Sequence, residues 1–375
     1  MLHRREFLRS SLGVGILALA GDCFAAPATD PIRDALRETV GARDKVAGMV
    51  GVVIDDDGAR MVSTGSSGVP GLALDGDSVF EIMSITKVLT SLLLAEMAAR
   101  GEVAFDDPVA KYLPPSVTLH EHGGPMTLLD LATYTSGLPN MPGNLAKNWY
   151  DLPNPMGDYP VAKLYEFLSG YVPKYEPGTH YEYANLGFGL LGIALARRAG
   201  KSYEELLIER VCGPLGLADT RITLSSEMRR HLVQGHDMDL KPTQLWDFPA
   251  MPGAGYARST ANNLTVFVKA CIGVTRSPLR APLARLIATR RATPLAGTEV
   301  GLGWFISSDG KEEIVWKSGL SAGCNTFIGF STKRRRGAVL LSNFLWQPID
   351  AGTINMGIRL IAPEFPTVDF HALYV

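Results

Sequence analysis

The hydrophobic pattern of the N-terminal quarter changes from helical to extended. Apolar and polar positions from 30 to 45 follow the spacing of an amphipathic helix. The following run, "GMVGVVIDDDGARMVSTG", predicts two strands joined by a tight turn near Asp57 and Gly58. From Met83 to Arg100 the apolar residues return to helical spacing, and Gly101 marks the predicted helix end.

The rest of the chain is first helical and then extended. Helical patterns such as "TLLDLATYTSG", "GFGLLGIALARRAG" and "STANNLTVFVKACIG" alternate with Pro- and Gly-bearing loops. The last 80 or so residues contain the strand-like runs "EEIVWK", "NTFIGF" and "GAVLLSN", and a helix-like end near "AGTINMGIRLIA". Strands at both ends predict one sheet, about 27–82 and 286–375, with a mostly helical part, about 83–285, packed beside it.

Composition and charge narrow the classes of partner. The 375 residues are 46% hydrophobic and 20% charged, as in an ordinary globular protein with a sizeable core. A net charge of -2 offers no basic face for nucleic acid and no polybasic segment for a membrane surface. We therefore expect a small-molecule or short-polymer substrate, with no nucleic acid partner and no stable membrane span, and a monomeric protein.

The first 26 residues have the layout of a cleavable export signal. A basic start is followed by a short apolar run and by small residues before Pro27. The pair Arg4-Arg5 resembles a twin-arginine signal, and the apolar run is too short to span a bilayer. Asp22 before Cys23 fits a lipoprotein anchor poorly. The expected location is periplasmic or secreted, although a slightly apolar cytosolic tail would show a similar composition.

Three cysteines lie beyond the predicted signal, at positions 212, 271 and 324. An odd, widely spaced set without a C-x-x-C pair argues against a disulfide framework. We expect these cysteines to be mostly buried small residues.

The stretch "FEIMSITK" holds a serine and a lysine three residues apart at the predicted helix start. On a helix, Ser84 and Lys87 share one face. A serine hydroxyl needs a base to become a nucleophile, and a lysine can serve only when burial or nearby positive charge lowers its pKa. A first-turn serine also has free backbone N–H groups beside it for an oxyanion. Alone, S-x-x-K also fits a helix cap beside a solvated lysine.

Two further triplets strengthen the catalytic interpretation. "HYEYANLGFGLLG" contains Tyr183 and Asn185 as Y-x-N where a loop meets a helix, and "IVWKSGLS" contains Lys317, Ser318 and Gly319 as K-S-G on a strand. S-x-x-K, Y-x-N and K-[ST]-G in this order resemble the serine β-lactamase and penicillin-binding protein superfamily, specifically class C β-lactamases and related low-molecular-mass DD-peptidases. Segments such as "DDPVAKYLP", "YEPGTHYEYANLGFGLLG" and "PGAGYARSTANNLTVFV" extend the resemblance over about 45–345.

The resemblance implies an α+β fold, in which an antiparallel sheet is flanked by the N- and C-terminal helices and carries a mostly helical inserted domain. It also implies catalytic roles. Ser84 would be acylated, Lys87 would assist its deprotonation, and Tyr183 would shuttle protons and activate the deacylating water. Lys317 would supply positive charge for a substrate carboxylate and help hold Tyr183 in a reactive state.

The remaining implied residues bind substrate. Asn185 would hydrogen-bond the amide side chain of the substrate, and Ser318 and Gly319 complete the triplet. The oxyanion donors would be the backbone N–H groups of Ser84 and Leu320. A main-chain edge at this strand would align a peptide-like substrate. The resemblance implies no cofactor and no metal.

Because the sequence departs from the family pattern, it does not decide between several substrate classes. Leu320 stands where class C β-lactamases usually have small residues, and no E-x-x-x-N segment of the class A kind is evident. The retained K-S-G favours a carboxylate-bearing amide, either a β-lactam or a D-alanyl-D-alanine peptide. A carboxylesterase on the same fold would also fit these motifs, as would a catalytically silent wall-binding or regulatory protein.

Several other patterns have simpler explanations. "GLSAG" formally matches a nucleophile elbow around Ser321, but the following "CNTFIGF" predicts a strand where an elbow needs a helix. His120 and His122 lie in a Gly- and Pro-bearing stretch typical of an exposed loop rather than a metal site. We expect His180 to be structural and the basic run 333–336 to form a solvated hairpin turn. Trp304 and Trp316 are more typical of a core or cleft wall than of catalysis.

Overall fold

A computed structural model describes residues 30–149, 152–346 and 351–374. The predicted export signal, with Arg4, Arg5 and Cys23, lies outside the described residues. The main compact unit spans Pro31–Val375. No helix in the described ranges combines the length and apolar character needed to cross a bilayer.

The largest element is an antiparallel sheet built from both ends of the chain. Its eight strands are ordered β2-β1-β10-β9-β8-β7-β6-β5, and β3 and β4 form a separate two-stranded sheet. The strands are β1 Gly48–Asp55, β2 Gly58–Gly65, β3 Val79–Glu81, β4 Arg258–Thr260, β5 Arg291–Ala292, β6 Thr298–Val300, β7 Phe305–Ser308, β8 Glu313–Leu320, β9 Asn325–Ser331 and β10 Arg336–Ser342.

Twelve α-helices within the described residues surround and extend this sheet. They are α1 Pro31–Val40, α2 Thr86–Ala99, α3 Leu128–Ala132, α4 Val161–Gly170, α5 Asn185–Ala199, α6 Tyr203–Leu207, α7 Gly213–Leu215, α8 Ser226–Arg230, α9 Pro252–Gly255, α10 Ala261–Ile272, α11 Arg280–Ala288 and α12 Ala351–Ile361. Short 3₁₀ turns include Met83–Ile85, immediately before α2.

Helices cover both faces of the sheet. The first helix, α1, buries one stripe, Ile32, Leu36 and Val40, at the i, i+4, i+8 spacing of a helix face. That stripe packs near Gly51 of β1, whereas α12 packs through Gly357 against Phe327 of β9. Strand pairing puts these positions on one face, because Gly51 and Phe327 both pair with Leu340 of β10. The N- and C-terminal helices therefore share one face of the sheet.

The helical part covers the opposite face. Gly337 is three residues from Leu340 along β10, so it faces the other way, and it lies against Val268 and Ile272 of α10. The predicted α+β class, with an antiparallel sheet flanked by the terminal helices, is confirmed.

The local predictions differ from the structure in several places. The helix expected over 30–45 ends at Val40, and a 3₁₀ turn follows at Gly41–Arg43. The turn after β1 lies at Asp56–Asp57, one residue earlier than expected, because Asp55 and Gly58 already pair. The region 83–285 contains the strand β4, which pairs with β3 across the chain. The short edge strands β5, β6 and β7 were not predicted, because two to four residues give too little hydrophobic alternation to recognise. The predicted helix at "TLLDLATYTSG" shortens to α3, since Tyr134 adopts φ +58°.

The three described cysteines are unpaired with one another, and two of them follow the prediction. Cys212 and Cys324 are buried, whereas Cys271 is only partly buried. Most of these cysteines are therefore buried, as predicted.

Candidate active site

Ser84 lies in a sharp turn between a strand and a helix. β3 ends at Glu81, the 3₁₀ turn Met83–Ile85 follows, and α2 begins at Thr86. Met83, the residue before the serine, adopts φ +44°. A non-glycine residue in this region costs of order 1–3 kcal/mol and persists only where the surrounding contacts enforce it. The turn leaves Ser84 partly exposed, although its neighbours Met83 and Ile85 are buried.

Two side chains converge on the serine oxygen. The Lys87 Nζ atom and the Tyr183 hydroxyl each lie 2.9 Å from Ser84 Oγ, within hydrogen-bond distance. Lys87 is one turn along from the serine, as the S-x-x-K spacing predicts, whereas Tyr183 comes from the loop before α5. The serine hydroxyl thus contacts both a candidate base, Lys87, and a candidate proton relay, Tyr183.

Lys87 is fully buried and held by oxygen atoms. Its Nζ donates to Asn185 Oδ1 and to the Ala254 carbonyl, both at 2.6 Å. Burial, and then the nearby charge of Lys317, lower the pKa of Lys87 well below its usual value. The neutral amine, which can accept a proton from Ser84, is therefore reached at a lower pH than in an exposed lysine.

Lys317 and two tyrosines form a second layer behind the nucleophile. The fully buried Lys317 donates to the Tyr134 hydroxyl at 3.0 Å and to the Tyr183 hydroxyl at 3.4 Å. The rings of Tyr134 and Tyr183 stack with centroids 4.7 Å apart. Burial raises the pKa of Tyr134, so its phenol stays neutral. This packing fixes the Tyr183 hydroxyl between Ser84 and the Lys317 ammonium.

Asn185 starts α5 and connects two parts of the site. Its Oδ1 accepts from Lys87, and its Nδ2 donates to Asn140 Oδ1 at 2.7 Å. Both ends of the amide are thus engaged within the protein, and Asn185 holds the base. Its predicted contact with a substrate amide stays a prediction.

The K-S-G triplet lies on β8 and passes directly against the serine turn. A Cβ atom on Gly319 would lie 2.2 Å from the Ile82 carbonyl oxygen and 2.7 Å from Thr326 Oγ1, so only glycine allows this approach. Leu320, the next residue, is partly exposed at the end of β8. Pairing with β7 stops at the Phe305–Trp316 pair, so β9 is the one described strand that accompanies residues 317–320. The other edge of this segment therefore has no described strand paired with it.

Comparison with known proteins agrees with this geometry. The family model described as Beta-lactamase matches residues 33–360. The chain belongs to the Beta-lactamase family. It is 31% identical over 340 residues to the D-alanyl-D-alanine-carboxypeptidase/endopeptidase AmpH of Escherichia coli K12, covering 84% of this chain and 86% of that protein. A β-lactamase of the same strain is 29% identical over 225 residues, covering 59% of this chain and 56% of that protein.

Solved structures show the same fold. A β-lactamase/D-alanine carboxypeptidase from Pseudomonas syringae superposes with a TM-score of 0.76 at 20% identity, covering 90% of this chain and 99% of that chain. A structure of a class C β-lactamase gives a TM-score of 0.75 at 18% identity, with coverages of 90% and 97%. The sequence-based prediction of this family is therefore confirmed.

The competing motifs do not form sites of their own in this Beta-lactamase-family fold. Ser321 is buried, donates to Glu81 Oε2 at 2.9 Å, and lies in the turn before β9, where an elbow would need a helix. His120 and His122 are exposed and contact the carbonyls of Ser169 and Pro173. No group of three or more potential metal ligands occurs in the described part of the chain.

The other noted residues have structural surroundings. His180 stacks on Tyr175 with centroids 3.8 Å apart. Trp304 and Trp316 are buried in the core, and Trp316 donates to Ser307. In the basic run, Arg334 pairs with Glu312, and Arg336 already belongs to β10, so the turn proper ends at Arg335.

The sequence analysis missed four contributors to the site. These are Tyr134, Asn140, the Ala254 carbonyl and Tyr374, whose hydroxyl lies 3.2 Å from Ser318 Oγ. Tyr134 is the one aromatic residue in the segment "TLLDLATYTSG", and this is the sequence signal that marks it. Asn140 and Tyr374 carry no local signal, because tertiary packing alone brings them to the site.

Proposed function

We propose that this protein hydrolyses amide bonds through an acyl-Ser84 intermediate. The first candidate substrate is a β-lactam. The observation that carries the proposal is the convergence of Lys87 Nζ and the Tyr183 hydroxyl on Ser84 Oγ, each at 2.9 Å. The lowered pKa of Lys87 supports its role as the base. The catalytic assignments of Ser84, Lys87, Tyr183 and Lys317 are part of this proposal.

Acylation would proceed by attack of Ser84 Oγ on the carbonyl carbon while the neutral amine of Lys87 takes the hydroxyl proton. The tetrahedral oxyanion would be held by the backbone N–H groups of Ser84 and Leu320. When the C–N bond breaks, the leaving nitrogen would receive a proton from the Tyr183 hydroxyl. The acyl-enzyme would then hold a protonated Lys87 and a Tyr183 phenolate beside the Lys317 ammonium.

Deacylation would reverse these roles. Tyr183, held beside the Lys317 ammonium, would accept a proton from a water molecule that attacks the acyl carbonyl. The released Ser84 oxygen would take its proton back from Lys87. The rate of deacylation is the step that separates a β-lactamase from a slowly turning-over penicillin-binding enzyme. Leu320, partly exposed at the end of β8, stands beside this step where class C β-lactamases usually have small residues.

A second candidate is a D-alanyl-D-alanine carboxypeptidase or endopeptidase. It is favoured by the relative AmpH, which is similar over 84% of this chain, more than the 59% covered by the E. coli β-lactamase. The unaccompanied edge of residues 317–320 suits an extended peptide that pairs through its main chain. A carboxylesterase uses the same acyl-serine chemistry without needing the carboxylate-binding triplet.

Intact-mass spectrometry during incubation with benzylpenicillin, with opened product followed in parallel, tests the proposal. A transient adduct with many equivalents of product would identify a β-lactamase, and a stoichiometric lasting adduct would identify a penicillin-binding peptidase. The Ser84→Ala variant should remain folded and show no adduct. Labelling that persists in this variant would remove Ser84 as the nucleophile, and absence of any wild-type adduct would favour the esterase.

We further propose export through the twin-arginine-like segment and a monomeric mature protein. The Arg4-Arg5 pair and the small residues before Pro27 support export. Replacing both arginines by lysine should retain the precursor in the cytoplasm in a fractionation experiment. Light scattering of the mature protein should give the mass of one chain.

A further inference from the structure

The segment 362–374, which follows α12, packs onto the sheet beside the candidate active site. Phe365, Phe370 and Leu373 are all buried, with at most 3% of their surface exposed. Asn355 of α12 fastens the middle of the segment through two hydrogen bonds to the backbone of Val368. This part of the chain is thus an integral layer of the fold.

Two aromatic contacts direct the segment toward K-S-G. The ring of Phe370 packs edge-on against Trp316, the residue before Lys317, with centroids 4.8 Å apart. The Tyr181 hydroxyl, two residues before Tyr183, donates to the Leu373 carbonyl at 2.9 Å. The backbone just before Tyr374 is therefore tied to the same loop that carries the candidate proton relay.

Tyr374 itself contacts three parts of the site. Its hydroxyl lies 3.2 Å from Ser318 Oγ. Its ring packs edge-on against Tyr183, with centroids 5.0 Å apart, and against Phe305 at 6.2 Å. The side chain remains partly exposed, so a bound substrate can reach it.

We propose that Tyr374 is a substrate-contacting residue that determines specificity, its hydroxyl joining Ser318 and Lys317 in binding the carboxylate of the substrate. The inference rests on the proposed function, which assigns carboxylate recognition to K-S-G. It adds a residue that lies outside the three motifs, in the segment that follows α12.

The arrangement of donors supports this role. In the structure one of the two hydroxyls, of Ser318 or Tyr374, donates to the other. Because a hydroxyl hydrogen can rotate, both groups can turn to donate to an anion that lies beside them. Hydrogen bonds to a charged acceptor are stronger than the neutral bond that they replace.

The test uses two acyl donors that share one acyl group. One is the m-carboxyphenyl ester and the other the phenyl ester, so they differ only by the carboxylate on the leaving group. Steady-state kcat and KM are measured for wild type, Tyr374→Phe, Tyr374→Ala and Lys317→Ala. We expect Tyr374→Phe to lower the ratio of kcat/KM for the carboxylate ester over the phenyl ester about tenfold, through KM.

Tyr159→Phe is the matched control, because its hydroxyl also loses one hydrogen bond, to Asn144, outside the K-S-G region. It should keep the wild-type ratio. Thermal unfolding of all variants separates a loss of folded protein from a loss of recognition. If Tyr374 has a purely structural role, its substitution should lower the apparent kcat/KM equally for the two esters, because fewer folded molecules act on both.

Three results would overturn the inference. Equal changes for both esters in Tyr374→Phe would remove the carboxylate contact. A higher kcat/KM for the carboxylate ester in Tyr374→Ala would mean that the side chain blocks the pocket. If wild type shows no preference for the carboxylate ester, the role of Lys317 is overturned as well. If the preference is lost in Lys317→Ala but kept in both Tyr374 variants, only the role of Tyr374 is overturned.

Discussion

In the proposed mechanism, the protonation state of Lys87 decides whether Ser84 can be activated. Its lowered pKa results from full burial and from the charge of Lys317. As pH rises through this pKa, Lys87 loses its proton and gains the lone pair that accepts the serine proton. We expect the acylation rate constant for benzylpenicillin to rise with pH and to reach its plateau well below pH 10.5, the ordinary lysine value, measured by quenched-flow mass spectrometry.

The Lys87→Arg variant provides the control for this pH dependence. Arginine keeps its charge throughout the accessible range. Acylation of this variant should be slower by about 100- to 10,000-fold, the usual contribution of a general base, and should lack the rise with pH. A wild-type rise centred at or above pH 10.5 would show that Lys87 is not the titrating base.

Lys317 is, like Lys87, a fully buried lysine, and its predicted role concerns substrate recognition. It lies on β8 beside Ser318 and contacts the hydroxyls of Tyr134 and Tyr183. Lys317→Ala should reduce kcat/KM about 10- to 100-fold more for a carboxylate-bearing substrate than for a simple ester, because a charge-assisted hydrogen bond contributes about 1.5–3 kcal/mol. Steady-state kinetics with both substrates measure this difference, and equal losses would contradict carboxylate recognition.

The contact between strand β8 and the serine turn joins two elements more than 200 positions apart in sequence. Their approach depends on Gly319, whose missing Cβ leaves room for the Ile82 carbonyl. Thr326 of β9 reinforces the contact, since its hydroxyl donates to the Gly319 carbonyl at 3.2 Å and to the Ile82 carbonyl at 3.4 Å. Any change here moves Leu320 relative to Ser84.

Gly319→Ala should therefore impair acylation more than stability. Overpacking of this kind costs about 1–3 kcal/mol of folding free energy. A displacement of about 1 Å between the reacting groups can slow the reaction about 100-fold. The measurements are the acylation rate with benzylpenicillin and the urea unfolding midpoint. Gly170→Ala, at an open position at the end of α4, is the control, and it should keep the wild-type acylation rate and unfolding midpoint. A Gly319→Ala variant acylated at the wild-type rate would refute this.

Elements with long, regular hydrophobic patterns were predictable, and those defined by partners were not. The helices α2 and α5 and the strands β8, β9 and β10 match the expected segments, because their burial extends over many residues. α2 ends one residue before Arg100, and Gly101 adopts φ +71°, as its predicted role at the helix end requires. In contrast, β4 has three residues and exists through its pairing with β3.

The molecule as a whole has one continuous core that joins the sheet to the helical part. Most of the buried apolar residues, from Ile32 in α1 to Leu373, belong to one large cluster, and Val79, Leu224 and Met228 form a small second cluster. Phe267 of α10 stacks on Trp304 with centroids 6.3 Å apart, and the Gly303 N–H donates to the Ala132 carbonyl at 3.1 Å. The proposed catalytic groups come from both parts, since Ser84, Lys87 and Tyr183 belong to the helical part and Lys317 to the sheet.

We expect the two parts to unfold together. In urea, tryptophan fluorescence, far-ultraviolet circular dichroism and penicillin labelling should give coincident transitions, because a shared core makes separate unfolding of either part unfavourable. The tryptophans report on both parts, with Trp246 in the helical part and Trp304 and Trp316 in the sheet. Labelling that disappears well before the fluorescence changes would indicate that the helical part opens independently.

The sequence by itself determined the nucleophile candidate, the family and the fold class. S-x-x-K, Y-x-N and K-S-G are short local patterns, and each depends on the backbone geometry of one helix start or one strand. Residue types within one turn of each other can be assessed without knowledge of the rest of the chain. The family match over 33–360 follows from many such local similarities.

Only the tertiary structure decided which distant groups meet at these motifs. Burial of Lys87, the stacking of Tyr134 on Tyr183 and the arrival of Tyr374 beside Ser318 depend on contacts between residues far apart in the sequence. Such contacts follow from how whole elements pack, and the energy that favours them is spread over the core rather than carried by any local pattern. The lowered pKa of Lys87 and the surroundings of the K-S-G triplet are therefore properties of the folded molecule.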